Sequence, residues 1–222
     1  MALTPHLSYL HDKSAVDTPE DAWRKIAAGG FQRVPKGKTA FGFQQGAYWF
    51  HAEVVNRDPD ELHWMLVQRF ALLDRIDLFV RYPDGRVVQQ ASGDSLPFSA
   101  RSISYRHPNF RIELPIDQTV EVLVRAQSQS SMQVPLELYT PAAFTSLSRD
   151  AQFVMGVYYG ILFALFVYNL VLWLVLRDAS YFWYLFHISA FGLVLFTLNG
   201  YSFEYLWPRN PWLANIAVPL SI

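Results

Sequence analysis

The chain has 222 residues, no cysteine, and a formal net charge of −1 from 18 basic and 19 acidic side chains. Without cysteine there is no disulfide framework and no thiolate metal site, and interspersed charges of both signs leave no basic stripe of the kind that holds nucleic acid. The charge is unevenly placed, because after residue 152 only Arg177, Asp178, Glu204 and Arg209 carry it; this divides the chain into a soluble domain, 1–150, and a membrane region, 153–222.

In chain order, the opening MALTPHLSYL has neither a basic start nor an apolar stretch, so it does not read as a signal peptide. Thr18-Pro19-Glu20-Asp21 predicts a helix start: a Thr cap, Pro at the first position and acidic residues facing the positive end of the dipole. The helix is expected over 18–28, stopped by Gly29-Gly30 and pinned to the domain edge by Ala22, Trp23 and Ile26. Lys36-Gly37-Lys38 reads as a solvated turn. From Ala47 the hydrophobic period becomes two, and strands are expected at 48–56, 62–70, 75–82, 86–92, 109–114, 119–126 and 134–140, the pattern of an all-β sandwich. Tyr82-Pro83-Asp84-Gly85 predicts a hairpin, and Arg57-Asp58-Pro59-Asp60 predicts the same between the first two strands. Ile76, Leu78 and Val80 should face one way, and Asp77, Phe79 and Arg81 the other. Trp49, Trp64 and Phe79 are expected as large core anchors.

Residues 141–150 close the domain and lead without a linker into an uncharged run at 153–176. At ~1.5 Å per residue a helix of this length crosses a hydrocarbon core of about 30 Å. A second apolar run, 181–201, follows after four residues, so the two form a membrane hairpin; a third begins at Trp212 and is cut short at Ile222. Arg149, Arg177 and Arg209 fall one to each flank, so the distribution of positive charge leaves the orientation open. Within the spans, Gly156 and Gly160 form a GxxxG face, and Asn169 and His187 are polar groups at bilayer depth; all four are expected at helix–helix contacts. Tyr158, Trp173, Tyr181, Trp183, Tyr201 and Trp207 gather toward the span ends, where interfacial aromatic belts lie.

No phosphate loop, Gly-x-Ser-x-Gly elbow or His-Glu-x-x-His helix is present, and the chain offers no catalytic constellation. His51 and His63, on successive expected strands, are a weak metal pair. Asp74, Asp77 and Asp94 are a conceivable calcium set, although their spacing is not that of an EF-hand. The loop Gly93-Asp94-Ser95-Leu96-Pro97-Phe98-Ser99-Ala100-Arg101 stands out by combining a carboxylate, an aromatic and a guanidinium. It reads either as a structural clamp satisfying buried backbone groups or as part of a ligand cleft.

Several short motifs together resemble the bacterial seven-transmembrane receptors with diverse intracellular signalling modules. In the soluble half they are Phe41-Gly42, Tyr48-Trp49, Asn56, Leu73-Asp74-Arg75-Ile76-Asp77-Leu78-Phe79, Gly93-Asp94, Leu96-Pro97-Phe98 and Arg101. In the membrane half they are Gly156-Val157-Tyr158-Tyr159-Gly160, Tyr168-Asn169-Leu170, and Arg177-Asp178 leading to Tyr181 and Tyr184. The resemblance covers about 15–222. It implies a jelly-roll-like sensor sandwich, similar to carbohydrate-binding modules, followed by a helical transmembrane hairpin. It also implies a multi-pass protein of the bacterial inner membrane with its N-terminal domain in the periplasm and Arg177-Asp178 on the cytoplasmic side. Seven spans and an output module such as a diguanylate cyclase or histidine kinase would complete such a receptor, and no enzyme activity is expected of this chain itself.

On that reading the sandwich binds a small molecule, with a sugar as one class, without a cofactor or metal. Trp49, Asp74, Asp94, Arg101 and Arg106 are the candidate contacts, since sugar sites pair aromatic faces with carboxylates and guanidiniums. The alternatives are a protein-interaction or homodimerisation module and a calcium-responsive domain.

Overall fold

A computed structural model describes residues 1–35 and 38–213. Lys36 and Gly37 of the basic turn, and all but the first two residues of the expected third span, lie outside them. Among the described residues eleven strands build a jelly-roll-like antiparallel sandwich. The larger sheet has the order β2-β1-β4-β9-β6-β7. Its strands are β1 (Ser8–Asp12), β2 (Gln32–Arg33), β4 (Ala47–Val55), β6 (Arg75–Arg81), β7 (Val87–Ser92) and β9 (Thr119–Gln127). Opposite it lie a three-stranded sheet, β11-β5-β8, and a two-stranded one, β10-β3. These use β5 (His63–Gln68), β8 (Asn109–Glu113), β11 (Leu136–Tyr139), β3 (Ala40–Phe43) and β10 (Ser131–Gln133).

Period-two alternation explains the core. Ile76, Leu78 and Val80 of β6 are fully buried with Phe50 of β4, Val122 and Val124 of β9, and Leu66, Phe110 and Leu136 from the opposing sheet. The other face of the large sheet is also apolar at its centre, where Trp49, Phe79 and Leu123 lie side by side on β4, β6 and β9. Such a patch must be covered to be removed from water. Helix α1 (Pro19–Ala27) covers it through Ala22, with Trp23 and Ile26 packed alongside. The helix therefore lies on the sheet face and not at the domain edge. Its start is the expected one: Thr18 Oγ1 accepts from the Asp21 N–H at 3.2 Å, and the Asp21 carboxylate accepts from the Thr18 N–H at 3.1 Å.

Four strands fall where the sequence suggested none, since β1, β2 and β3 precede Ala47 and β10 lies at 131–133. β1 is an interior strand of the large sheet, pairing with both β2 and β4. The expected hairpin at 82–85 is present, with the Gly85 N–H donating to the Tyr82 carbonyl and β6 pairing with β7. The Arg57–Asp60 turn is not a hairpin turn. It carries the chain from β4 in one sheet to β5 in the other, so His51 and His63 lie in different sheets and do not form a metal pair.

Helix α2 (Pro141–Leu176) starts twelve residues before the expected span, capped by Thr140 Oγ1 accepting from the Ala143 N–H. Its 36 residues are ~54 Å long at ~1.5 Å each. The turns before residue 153 are therefore a helical stalk that joins the sandwich to the span. Helix α3 (Ala179–Leu198) returns antiparallel to it and ends three residues earlier than expected, at Asn199-Gly200, followed by one wide turn over Ser202–Leu206. Both helices are long and apolar enough to cross a membrane and leave most of their apolar surface uncovered. Asn169 is buried and donates to the Leu165 carbonyl one turn back in its own helix, at 2.8 Å. Gly156 and Gly160 face open space, and His187 is exposed and stacks on Phe191. None of Gly156, Gly160 and His187 mediates the α2–α3 contact.

Candidate functional site

Of the five residues singled out as ligand contacts, the structure brings Asp94, Arg101 and Arg106 together with Asp74 beside them, and leaves Trp49 elsewhere. Trp49 is fully buried beneath α1, with no face open to a ligand. The other four belong to the junction between the sandwich and the membrane hairpin.

The junction is built from the 93–107 segment. Backbone bonds clip its start to the entry of β6: the Asp94 N–H donates to the Leu73 carbonyl and the Ser95 N–H to the Asp74 carbonyl, both at 3.0 Å. The approach is so close that a Cβ on Gly93, at φ +135°, would stand 2.2 Å from the Asp74 carbonyl oxygen. A short 3-10 turn, Phe98–Ala100, follows, with Phe98 buried. The returning chain is held by Asn109, fully buried at the head of β8, which donates to the Ile103 and His107 carbonyls and accepts from the Ile103 N–H.

This segment packs against the turn that follows α3. The Phe98 N–H donates to the Pro208 carbonyl at 3.0 Å, and Phe98 meets Phe203 edge-to-face at 5.5 Å with Trp207 packed alongside. Arg101, only 6% exposed, lies over the Phe98 ring at 4.3 Å and the Phe203 ring at 5.3 Å, and donates from Nη1 to the Tyr105 carbonyl at 2.7 Å. Arg106 lies over the Tyr201 ring at 5.0 Å and reaches Asn199 Oδ1 at 3.5 Å. On the stalk side, Phe144 of α2 is buried with Met65, Val67 and Tyr105. The sandwich thus grips both the beginning of α2 and the end of α3.

The electrostatics are unusual for a plain packing contact. Eight of the fourteen buried side-chain nitrogen and oxygen atoms that lack a hydrogen bond among the described residues lie here, on Asp94, Arg101, Arg106, His107, Tyr201, Glu204 and Trp207. Unpaired buried polar groups are costly, so their concentration makes this junction the candidate site. Burial pushes the Asp94 carboxyl up to about 7, with Asp74 adding to the rise and Arg101 opposing it. Burial pulls the Arg101 guanidinium down to about 10 against the attraction of Glu204 and Asp94. The His107 imidazole falls to about 3 through burial, with Arg106, Arg69 and Arg101 acting in the same direction. Burial also raises Glu204 against Arg101 and Arg106.

The clamp reading of the loop fits Arg101, which satisfies a buried carbonyl, but not the Asp94 side chain, whose Oδ1 is unbonded. Asp77 is not part of a calcium set: it is buried between Arg75 at 3.0 Å and Arg125 at 3.6 Å. Among the described residues no three acidic or histidine side chains are placed to hold a metal ion. Sequence reasoning missed Glu204, Asn199, Gly200 and Asn109. Glu204, a single carboxylate just beyond an apolar span, was the one with a visible signal.

Two family profiles match the chain: "7TMR-DISM extracellular 2" over residues 4–140 and "7TM diverse intracellular signalling" over residues 151–222. The chain belongs to this receptor family. It is a membrane sensory receptor chain whose sandwich is the extracellular, periplasmic sensor, and neither matched family is a catalytic one. The two profiles meet between residues 140 and 151, at the foot of the α2 stalk.

Among solved structures, an FMN-binding β-glucuronidase from Facaelibacterium prausnitzii L2-6 matches at 11% identity and TM-score 0.35, over 62% of this chain and 22% of that one. The carbohydrate-binding module TmCBM61, in complex with β-1,4-galactotriose, matches at 12% identity and TM-score 0.32, over 63% of the receptor chain and 94% of the module. The Ruminococcus gnavus β-glucuronidase matches at 11% identity and TM-score 0.29, over 58% and 24%. The receptor chain thus spans about a quarter or less of either glucuronidase. Among curated proteins there is no significant match.

Proposed function

We propose that the chain is the signal-receiving part of a multi-pass receptor of the bacterial inner membrane. Its periplasmic sandwich binds a small molecule and passes the event through the α2–α3 hairpin to a cytoplasmic output module, a diguanylate cyclase or a histidine kinase. The observation that carries this is the double grip of the sandwich on the hairpin. The 93–107 segment is clipped to the entry of β6 on one side and holds the 199–208 turn on the other, while Phe144 anchors the α2 stalk. A ligand acts on such a system only by binding one arrangement of the hairpin more tightly than another. In this reading Asp94, Arg101, Arg106 and Glu204 are the coupling element, and Asp74 ties it to the sheet. Gly156, Gly160 and His187 face outward toward further membrane helices.

The absence of cysteine allows a clean test with introduced labels. Spin labels at S99C, on the junction, and S180C, at the opposite end of the hairpin, report the sandwich-to-hairpin distance in nanodiscs. Sugars, amino acids and dicarboxylates are added in turn, with thermal stabilisation as the independent sign of binding. A compound that stabilises the protein and shifts the distance distribution supports the reading. Stabilisation with an unchanged distribution overturns the transmission role, and a large flat dimer contact found by crosslinking would replace it with the interaction-module reading.

A further inference from the structure

A second region of the sandwich, remote in sequence from the junction segment, carries the features of a ligand site. β1 begins at Ser8, opposite His51, so β4 loses its partner on that side from Ala52 onward and the preceding chain turns away as a 3-10 turn at Thr4–His6. The space left between them is a cavity of about 430 Å³ lined by His6, Ser8, Arg33, His51 and Glu53, with Pro5, Leu7 and Ala52 completing the wall. That volume is within the ~300–1,000 Å³ usual for small-molecule sites.

Three side chains give it chemical character. His51 is 8% exposed, and its Nε2 has no hydrogen-bond partner; the nearest carboxylate oxygen, on Glu121, is 3.7 Å away and is itself held by Arg81 at 2.6 Å. Burial lowers the His51 imidazole, against Glu121 and Glu53, so the ring is neutral near pH 7 and offers one donor and one acceptor. Arg33 and Glu53 are exposed, opposite in charge, and neither is in an ion pair with another described residue. Elsewhere on this face charges are matched, as in Arg81–Glu121 and Arg75–Asp77. An unmatched guanidinium and an unmatched carboxylate on one cavity wall complement a molecule that carries the reverse pair.

We infer that this cavity binds a small zwitterion, a free α-amino acid, whose carboxylate pairs with Arg33 and whose ammonium pairs with Glu53, with His51 hydrogen-bonding between them. Phe31 packs edge-on to the His51 ring at 6.4 Å, and α1 closes the same sheet face beside it. Occupation of the cavity therefore bears on the β1–β4 edge, and β4 connects through β9 to β6, where the junction segment is clipped. The inference rests on the receptor reading above and names the ligand class and the place it enters.

The test uses the full chain in nanodiscs and calorimetric titration with the common L-amino acids, together with two half-charged relatives of serine, glycerate and ethanolamine. The expected result is that at least one amino acid binds and both relatives bind far more weakly. R33Q and E53Q each reduce amino-acid affinity on the order of 10-fold or more, as loss of one charge-assisted bond does. Both residues are exposed, so these variants keep the wild-type melting temperature. The His51 ring nitrogens, followed by NMR, shift on binding in the wild type. If amino acids bind but R33Q and E53Q leave affinity unchanged, the site lies elsewhere and this inference falls while the receptor reading stands. If no amino acid binds but a sugar or dicarboxylate from the spin-label screen does, the ligand class is wrong and the receptor reading stands. If neither an amino acid nor a relative binds, this inference falls, while the receptor reading is decided by the spin-label screen with sugars and dicarboxylates.

Discussion

Asp94 illustrates how a single residue of the junction responds to its surroundings. Its carboxyl is raised to about 7 in the fold, above the usual carboxylate value of about 3.9, so the folded state holds the proton more tightly than the unfolded chain. The stability this contributes is complete below about pH 4 and is lost as pH rises through about 7. D94N should therefore be more stable than wild type at pH 8 and indistinguishable from it near pH 4, read as melting temperature against pH. A difference of constant size at every pH would mean that Asp94 does not titrate in this range. His107 acts in the opposite sense: lowered to about 3, it supports the fold above about pH 6.5 and withdraws that support as pH falls toward 3. Because His107 is common to wild type and D94N, it cancels in the comparison. Beside Asp94, Gly93 has no room for a side chain, and its positive φ is one that L residues rarely adopt. G93A should cost more than ~1 kcal/mol by denaturant titration; a neutral result would mean that the β6 clip is slack.

Among the elements, the turn after α3 and the stalk of α2 carry the docking, and each has a residue that isolates it. At Gly200, φ +81°, a Cβ would stand 2.6 Å from the Ala71 Cβ and 3.0 Å from the Arg106 carbonyl. G200A should lift the turn from the sandwich while leaving the sheets intact. Proteolytic cleavage within 199–210 should rise at an unchanged sandwich melting temperature, and an unchanged cleavage pattern would show that this contact is not what holds the turn. Phe144 is the apolar anchor of the stalk, in edge-to-face contact with Tyr105 at 5.1 Å. F144A removes a buried ring at a cost of ~3 kcal/mol or more, read as a lower melting temperature of the sandwich. A loss well below 1 kcal/mol would indicate that the stalk stands free of β5.

For the whole molecule, the continuity of α2 makes the receptor mechanically simple. A helix without a break from Pro141 to Leu176 transmits displacement along its axis, and the stalk residues Arg149 and Asp150 are exposed and lie before the apolar run. Replacing both with glycine should soften the helix by ~1 kcal/mol per position without touching either domain. The expected outcome is unchanged ligand binding with a broadened sandwich-to-hairpin distance distribution in the spin-label measurement; an unaltered distribution would assign transmission to the α3 turn alone. The molecule also has two polar centres, the buried junction and the cavity at the β1–β4 edge, joined through one continuous six-stranded sheet.

Local pattern decided much of this. Uncharged runs as long as a bilayer is thick have few fates, so the two long apolar helices after the sandwich were readable. Strict alternation from Ala47 to Thr140 gave seven strands within a residue or two, and the Thr18 cap and the Tyr82–Gly85 turn followed from side-chain chemistry. What local pattern could not decide was pairing. β1 is too polar and β2 too short to announce themselves; β1 exists because β4 offers a partner edge, and β2 because β1 then offers one. Asp58-Pro59 bends the chain equally well into a hairpin or across to another sheet, and only the packing of Phe50 against Leu66 from opposing layers chose the second. Trp49 has the composition of a ligand platform but was assigned to the core by α1 folding over it. Asp94, Arg101 and Arg106 drew notice from the sequence as polar residues in an odd loop. Their meeting with Glu204, about a hundred positions further on, depends on where α3 returns the chain, and that is a property of the tertiary structure alone.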